Sequence, residues 1–228
     1  MTHLHITKHR LAPHSKYDTA YYVVRGNGAG NTVMVTAGVH GNESAGIRAA
    51  NEIVDLLRGG AIRLRRGKLI VVPVVNAIAR RRRIRGKPDL NRTFPKKRGD
   101  AARHPLSAAL LAVAKRHKPG WYIDLHEANG LSKLNPRALG QTLLVNPRSP
   151  AVRPAGRVVS RINRSIAKRS LRFTVRQRPL PGSGRHAAYR LWNAKAITVE
   201  TCWSMAKSTR VRFQTDIVRA FLQEARLV

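Results

Sequence analysis

Residues 33–43 read Val-Met-Val-Thr-Ala-Gly-Val-His-Gly-Asn-Glu. A nearly unbroken apolar run gives way to Gly38 and Gly41, the pattern of a buried strand that ends in a loop, with His40 and Glu43 at its exit. Ser44 to Arg58 then sets Ile47, Ile53, Val54 and Leu57 along one side of a helix that Gly59-Gly60 ends. With a helix beginning near Asn42, Glu43 lies in its first turn and His40 just before it, so the two side chains can face one point. Imidazole nitrogen and carboxylate oxygen suit zinc, whose catalytic sites take three protein ligands and keep a fourth position open. The third ligand has to come from elsewhere. His126, at the end of the strand-like run Trp121 to Leu125, is the candidate.

Upstream, Ala20 to Arg25 predicts a strand, and the Gly- and Asn-rich residues 26–31 predict a hairpin-type turn into the central strand. Those glycines precede a strand and do not join a strand to a helix, which excludes a phosphate loop. Residues 1–19, with His3, His5, His9 and His14 in no regular order, predict a solvated, partly extended terminus. Downstream, Lys68 to Val75 is almost continuously apolar, as in a strand covered on both faces. Asn76 to Phe94 predicts a long irregular loop of functional length, carrying Arg80 to Arg83, Arg85 and Asp89-Leu90-Asn91-Arg92. A helix over Pro105 to Lys118, an active-site loop over 128–139 and a strand over 141–145 come next. They are followed by a basic helix over 149–169, a strand over 171–175, a mobile segment over Pro179 to Gly184 and a short helix over His186 to Asn193. A core strand over Ala196 to Thr201 and a closing helix over 209–227 complete the chain. This alternation predicts an α/β three-layer sandwich, a central mixed sheet flanked by helices, with ligands bound at the strand ends.

A chain of 228 residues, 43% of them hydrophobic, fits one domain with a substantial core. No apolar run reaches membrane-span length and the start lacks a secretory signal's apolar segment, so the expected location is cytoplasmic. The single cysteine, Cys202, excludes an internal disulfide. Lys and Arg number 44 against 11 Asp and Glu, a formal +33. Such a surface attracts polyanions through counterion release, although the spread of arginine along the whole chain also fits a solvated basic surface. With acids so scarce, their placement is informative: Glu43, Asp89, Asp124 and Glu200 fall in four short segments, and Glu127 directly follows one of them.

Those segments, Gly38-Val39-His40-Gly41-Asn42-Glu43, Asp89-Leu90-Asn91-Arg92, Asp124-Leu125-His126 and Val199-Glu200-Thr201, resemble in kind and order the motifs of the zinc carboxypeptidase superfamily. Within it the likeness is to the succinylglutamate desuccinylase and aspartoacylase family, over roughly residues 30 to 203. The resemblance implies one zinc ion per chain on His40, Glu43 and His126, with Glu200 as general base. It implies that Asn91 and Arg92 grip a substrate carboxylate and that Asp89 stands behind His40. An arginine of the same loop would polarise the scissile carbonyl: Arg83, followed by apolar Ile84, matches best, with Arg85 the other choice. Two departures stand out. Arg176, Gln177 and Arg178 occupy the region where peptide-cutting relatives carry a mobile tyrosine, and the chain ends soon after the Glu200 strand, where longer relatives add a β-rich domain. The expectation is therefore one catalytic domain over 1–228, with an open, basic-rimmed entrance. The implied activity is zinc-dependent hydrolysis of an amide near a free carboxylate. Deacylation of N-acyl amino acids ranks ahead of cleavage of peptides such as peptidoglycan or poly-glutamate. A polyanion-binding protein on a retained fold is the reading from another class.

Overall fold

The computed structural model describes residues 5–228; residues 1–4, and with them His3, lie outside the described residues. In chain order the elements are β1 (His5–Leu11), β2 (Thr19–Arg25), β3 (Thr32–Ala37), α1 (Ser44–Arg58), β4 (Lys68–Val72), α2 (Ala77–Arg82) and α3 (Pro105–His117). They continue with β5 (Trp121–Ala128), β6 (Thr142–Val145), α4 (Val152–Asn163), β7 (Thr174–Gln177), α5 (Gly184–Trp192), β8 (Lys195–Cys202) and α6 (Lys207–Glu224). The strands form one mixed sheet in the order β1-β2-β4-β3-β5-β8-β6-β7. Its centre, β4-β3-β5-β8, is parallel; β2 is antiparallel to both β1 and β4, and β6 is antiparallel to β8 but parallel to β7.

Side chains alternate across a strand, so the central strands feed two separate cores. Val33 and Val35 of β3, Leu69 and Val71 of β4, Ile123 and Leu125 of β5, and Ile197 and Val199 of β8 join the cluster beneath α1, α4 and α6. Met34, Ile70, Val72, Tyr122 and Ala196, one position out of step, join the cluster beneath α3 and α5. Helices thus cover both faces, and the sandwich is three layers deep. No helix among the described residues is long and apolar enough to cross a membrane.

Three sequence expectations need correction. Residues 5–11 are not a solvated tail: they pair with β2 along the full length of β1, and His9 stacks on Tyr21 with ring centroids 5.1 Å apart. The turn at 26–31 is no hairpin, because β4 lies between β2 and β3. Gly26 and Gly30 instead meet the backbone of Arg66 and Gly67, where a Cβ would sit 2.6 and 2.9 Å away. Residues 76–94 are not irregular throughout. Asn76 caps α2 by accepting the Ala79 N–H at 3.0 Å, and Asp89 caps a 3₁₀ turn over Leu90–Arg92 by accepting the Asn91 N–H at 3.0 Å.

The bend after β3 depends on Gly41. A Cβ there would fall 1.9 Å from the Ala79 carbonyl carbon and 2.1 Å from its oxygen, both backbone atoms that cannot swing aside. Gly41 N–H also donates to Ile84 O at 2.9 Å, locking the His40 loop to the α2 segment. Gly41→Ala should cost about 1–3 kcal/mol through overpacking and lower the melting temperature by several degrees. Gly120→Ala, where a Cβ meets nothing within 4 Å, should leave it unchanged. Equal melting curves for the two variants would show that this contact does not constrain the loop.

Candidate active site

β3, β5 and β8 lie side by side, and their C-terminal ends open toward one cleft of about 510 Å³. His40 and Glu43 leave the end of β3, with Glu43 the residue immediately before α1. His126 is still within β5 and is the register partner of Glu200 on β8, so both side chains project from the same face of the sheet. Glu43 bridges the two histidines: Oε1 is 2.7 Å from His40 Nδ1 and Oε2 is 2.8 Å from His126 Nδ1, while the two Nδ1 atoms stand 3.2 Å apart. All three side chains are buried.

The outer nitrogens are held by carboxylates. His40 Nε2 lies 2.9 Å from Asp89 Oδ1, and His126 Nε2 lies 2.9 Å from Asp124 Oδ2, with the Asn91 amide 3.2 Å away. An imidazole that gives up its Nδ1 proton keeps the other on Nε2, toward a carboxylate, and can then offer the Nδ1 lone pair to a metal ion. Two imidazole nitrogens and a carboxylate within 4.8 Å of one another make a donor set that fits a divalent metal ion. Burial alone would raise the Glu43 carboxyl, but His126 and His40 outweigh it and hold it down at about 2. Burial would lower His126, and Asp124 and Glu43 reverse this and raise it well above the usual histidine range. Asp89 is held low by His40 and Arg85 against its partial burial.

Behind this layer, Thr36 of β3 donates to Asp124 Oδ1 at 2.7 Å, fixing the carboxylate that faces His126. Glu127 accepts the Ala45 N–H at 2.9 Å in the first turn of α1 and pairs with Arg210 of α6, so it anchors the helix end from which Glu43 projects. Gln214 of α6 donates to His126 O at 3.0 Å and to Thr201 Oγ1 at 2.7 Å. The sequence marked Asp124 and Glu127 as motif acids without showing these tasks.

Glu200 faces the same cleft. Its Oε2 is buried without a protein hydrogen-bond partner, and burial lifts its carboxyl to about 8. Asn91, Arg92 and Arg85 line the wall above, and Arg85 Nη2 donates to Asp89 Oδ2 at 3.0 Å with Nη1 3.6 Å from Glu43. Arg83 does not line the cleft. It ends α2 in the left-handed conformation, at φ 54°, which turns the chain so that Arg85 reaches the site and Arg83 stays exposed. Of the two arginines the sequence offered, Arg85 is the one at the cleft. The opposite wall carries Leu139, Leu144, Leu180 and Trp203, so the loops at 128–139 and 179–184 do border the cleft.

Arg185 of α5 escaped the sequence reading. It is 1% exposed, donates from Nε to Thr198 Oγ1 at 3.2 Å and from Nη2 to Arg178 O at 2.8 Å, and also bonds Asn146. Burial lowers it to about 10. Nothing in its local sequence sets it apart from the other arginines of a basic chain.

No curated protein matches the chain by sequence. Its fold is shared with solved structures of low identity. Product-bound Csd4 from Helicobacter pylori, a cell shape determinant protein, superposes with a TM-score of 0.75 at 15% identity, covering 99% of this chain and 56% of Csd4. A metallopeptidase candidate from Shewanella amazonensis gives 0.72 at 18%, covering 96% and 87% of the two chains. The ectoine utilization protein EutE (DoeB) from Ruegeria pomeroyi gives 0.66 at 18%, covering 92% and 62%. This chain therefore spans little more than half of Csd4. The profile of the succinylglutamate desuccinylase/aspartoacylase catalytic domain matches residues 29–201, most of the chain and all four motif segments, and the protein belongs to that family of hydrolases.

Proposed function

We propose that the protein is a zinc-dependent hydrolase of an amide bond lying next to a free carboxylate. The observation that carries this reading is one cleft holding the His40-Glu43-His126 group, the unpartnered carboxylate of Glu200, and the Arg85, Asn91 and Arg92 donors. A zinc ion on His40, Glu43 and His126 would supply Lewis acidity and a water acidic enough to ionise near neutral pH. In its ionised form, which grows as pH rises toward and past about 8, Glu200 takes a proton from the attacking water and hands it to the leaving amine. Arg85 directs its guanidinium at the carbonyl oxygen as negative charge develops there. Arg92 offers a planar fork to the substrate carboxylate, with Asn91 beside it. Leu139, Leu144, Leu180 and Trp203 form the apolar wall against which the acyl side rests.

N-acyl amino acids satisfy these requirements, as the family's name suggests. Short peptides with a free terminal carboxylate are the second reading. The fold similarity to Csd4, described as a D,L-carboxypeptidase in its mDAP-bound form, supports it, as does the open cleft.

Metal analysis of the purified protein should find about one zinc ion per chain, lost from His40→Ala/His126→Ala while the far-ultraviolet circular dichroism is kept. Undiminished zinc in the double variant rules out these ligands. Glu200→Gln is nearly isosteric and leaves the ligands intact, so it should keep the metal and lose on the order of 10² to 10⁴ in kcat on N-acyl aspartates, N-acyl glutamates or carboxyl-ended peptides. Turnover equal to the parent's would remove Glu200 from the mechanism. Arg85→Ala should cost about 10² to 10³ in kcat, while Arg83→Ala stays near the parent rate. The reverse order would restore Arg83 to the role.

A further inference from the structure

We infer that a basic groove beside the active cleft is a binding site for an acidic peptide. That the peptide is also a substrate rests on the hydrolase reading above; that it binds does not.

The groove has a volume of about 800 Å³ and is lined by Lys133, Ser160, Arg164, Arg169, Ser170 and Arg172, with Leu134 at its edge. It lies in the most one-sided part of the chain: residues 128–199 contain fifteen Lys and Arg and no Asp or Glu. Among the described residues, no ion pair neutralises Lys133, Arg164, Arg169 or Arg172. Four cations gathered without a counter-charge repel one another unless an anion sits among them.

One loop, residues 128–139, borders both the groove and the cleft. Asn129 and Leu139 line the cleft, whereas Lys133 and Leu134, in the same loop, line the groove. Four residues of chain reach at most about 14 Å, so a short extended ligand can occupy both. The loop is fixed by Arg176, whose Nη1 donates to Pro136 O at 2.6 Å and Ala138 O at 2.9 Å and whose Nη2 donates to Ser132 O at 3.1 Å.

Peptide carboxylates fit better than nucleic acid. The lining contains no aromatic ring on which bases could stack. Its arginines offer carboxylate-matching forks, and Leu134, 71% exposed, offers an apolar contact to a side chain or stem.

Binding is measured by fluorescence anisotropy of labelled hexaglutamate and diglutamate on the full chain. Arg164→Glu/Arg169→Glu is compared with Arg48→Glu/Arg63→Glu, which makes the same charge change at exposed positions outside the groove. The groove pair should weaken hexaglutamate about tenfold or more, the control pair less than about threefold, and only the groove pair should abolish the preference for the longer peptide. Arg164→Gln/Arg169→Gln, with a smaller loss in the same direction, serves if charge reversal prevents folding. Equal losses in both pairs would assign the affinity to net charge and overturn the proposal. Labelled oligothymidylate of matched charge that binds as tightly and loses as much in the groove pair would overturn it in favour of nucleic acid. Groove-dependent binding without hydrolysis upholds the site and counts against the hydrolase reading alone.

Discussion

Glu43 is a carboxylate almost wholly withdrawn from water, and the head of the sheet is arranged around keeping it charged. Desolvation pushes such a group toward its neutral form. Here two imidazoles at 2.7 and 2.8 Å overcome that push. Each imidazole is backed in turn by a carboxylate, Asp89 or Asp124, and Asp124 is backed by the Thr36 hydroxyl. The result is a buried chain of alternating partners in which removing one member leaves the next unpaired, a change that typically costs about 3–5 kcal/mol. A divalent cation in place of the protons between Glu43 and the two Nδ1 atoms would preserve the same alternation of charge.

That chain requires strand spacing and helix position to be held closely, and the sandwich supplies both. Parallel pairing of β5 with β8 makes His126 and Glu200 neighbours by register, with no loop between them to relax. Parallel pairing of β3 with β5 brings Thr36 opposite Asp124. Glu43 leaves the sheet on the end of α1, and that end is tied down by Glu127, which satisfies the Ala45 N–H and is gripped by Arg210 from α6. The three proposed ligands therefore sit on elements fastened to one another through buried hydrogen bonds.

How far the sequence disclosed this depended on how local each signal was. β3, β4, β5 and β8 are buried on both faces; β3 and β4 read as nearly continuous apolar runs, and β5 and β8 as apolar starts that end in motif residues. α1 carries a full apolar stripe and was delimited to the residue. The hairpin at 26–31 was misread because turn chemistry reports that the chain turns, not that a third strand will enter between its ends. α2 was missed because six residues, three of them arginine, show no apolar periodicity; what makes it a helix is the Asn76 cap and the packing of Ala79 against Gly41. Arg83 and Arg85 could not be separated by spacing, since the left-handed turn at Arg83 decides which one faces the cleft. Arg185 was invisible because burial, not residue type, sets it apart.

The charge distribution follows from the same scarcity of acids. A chain of formal charge +33 has eleven Asp and Glu, of which Glu43, Glu127 and Glu200 line one cleft while Asp89 and Asp124 stand behind its two histidines. Gathering buried carboxylates costs desolvation and mutual repulsion, which the neighbouring histidines and Arg85 offset for Glu43 and Asp89. Above that floor the rim is cationic, with Arg85, Arg92 and Arg178 at its edge. At long range the whole surface draws anions inward, and low-dielectric walls focus that attraction on the cleft. On the proposed reading, the guanidinium forks of the rim would hold the anionic end of a ligand and leave the uncharged amide beside it over the floor. The rim would thus orient a substrate before any shape complementarity with its acyl group comes into play.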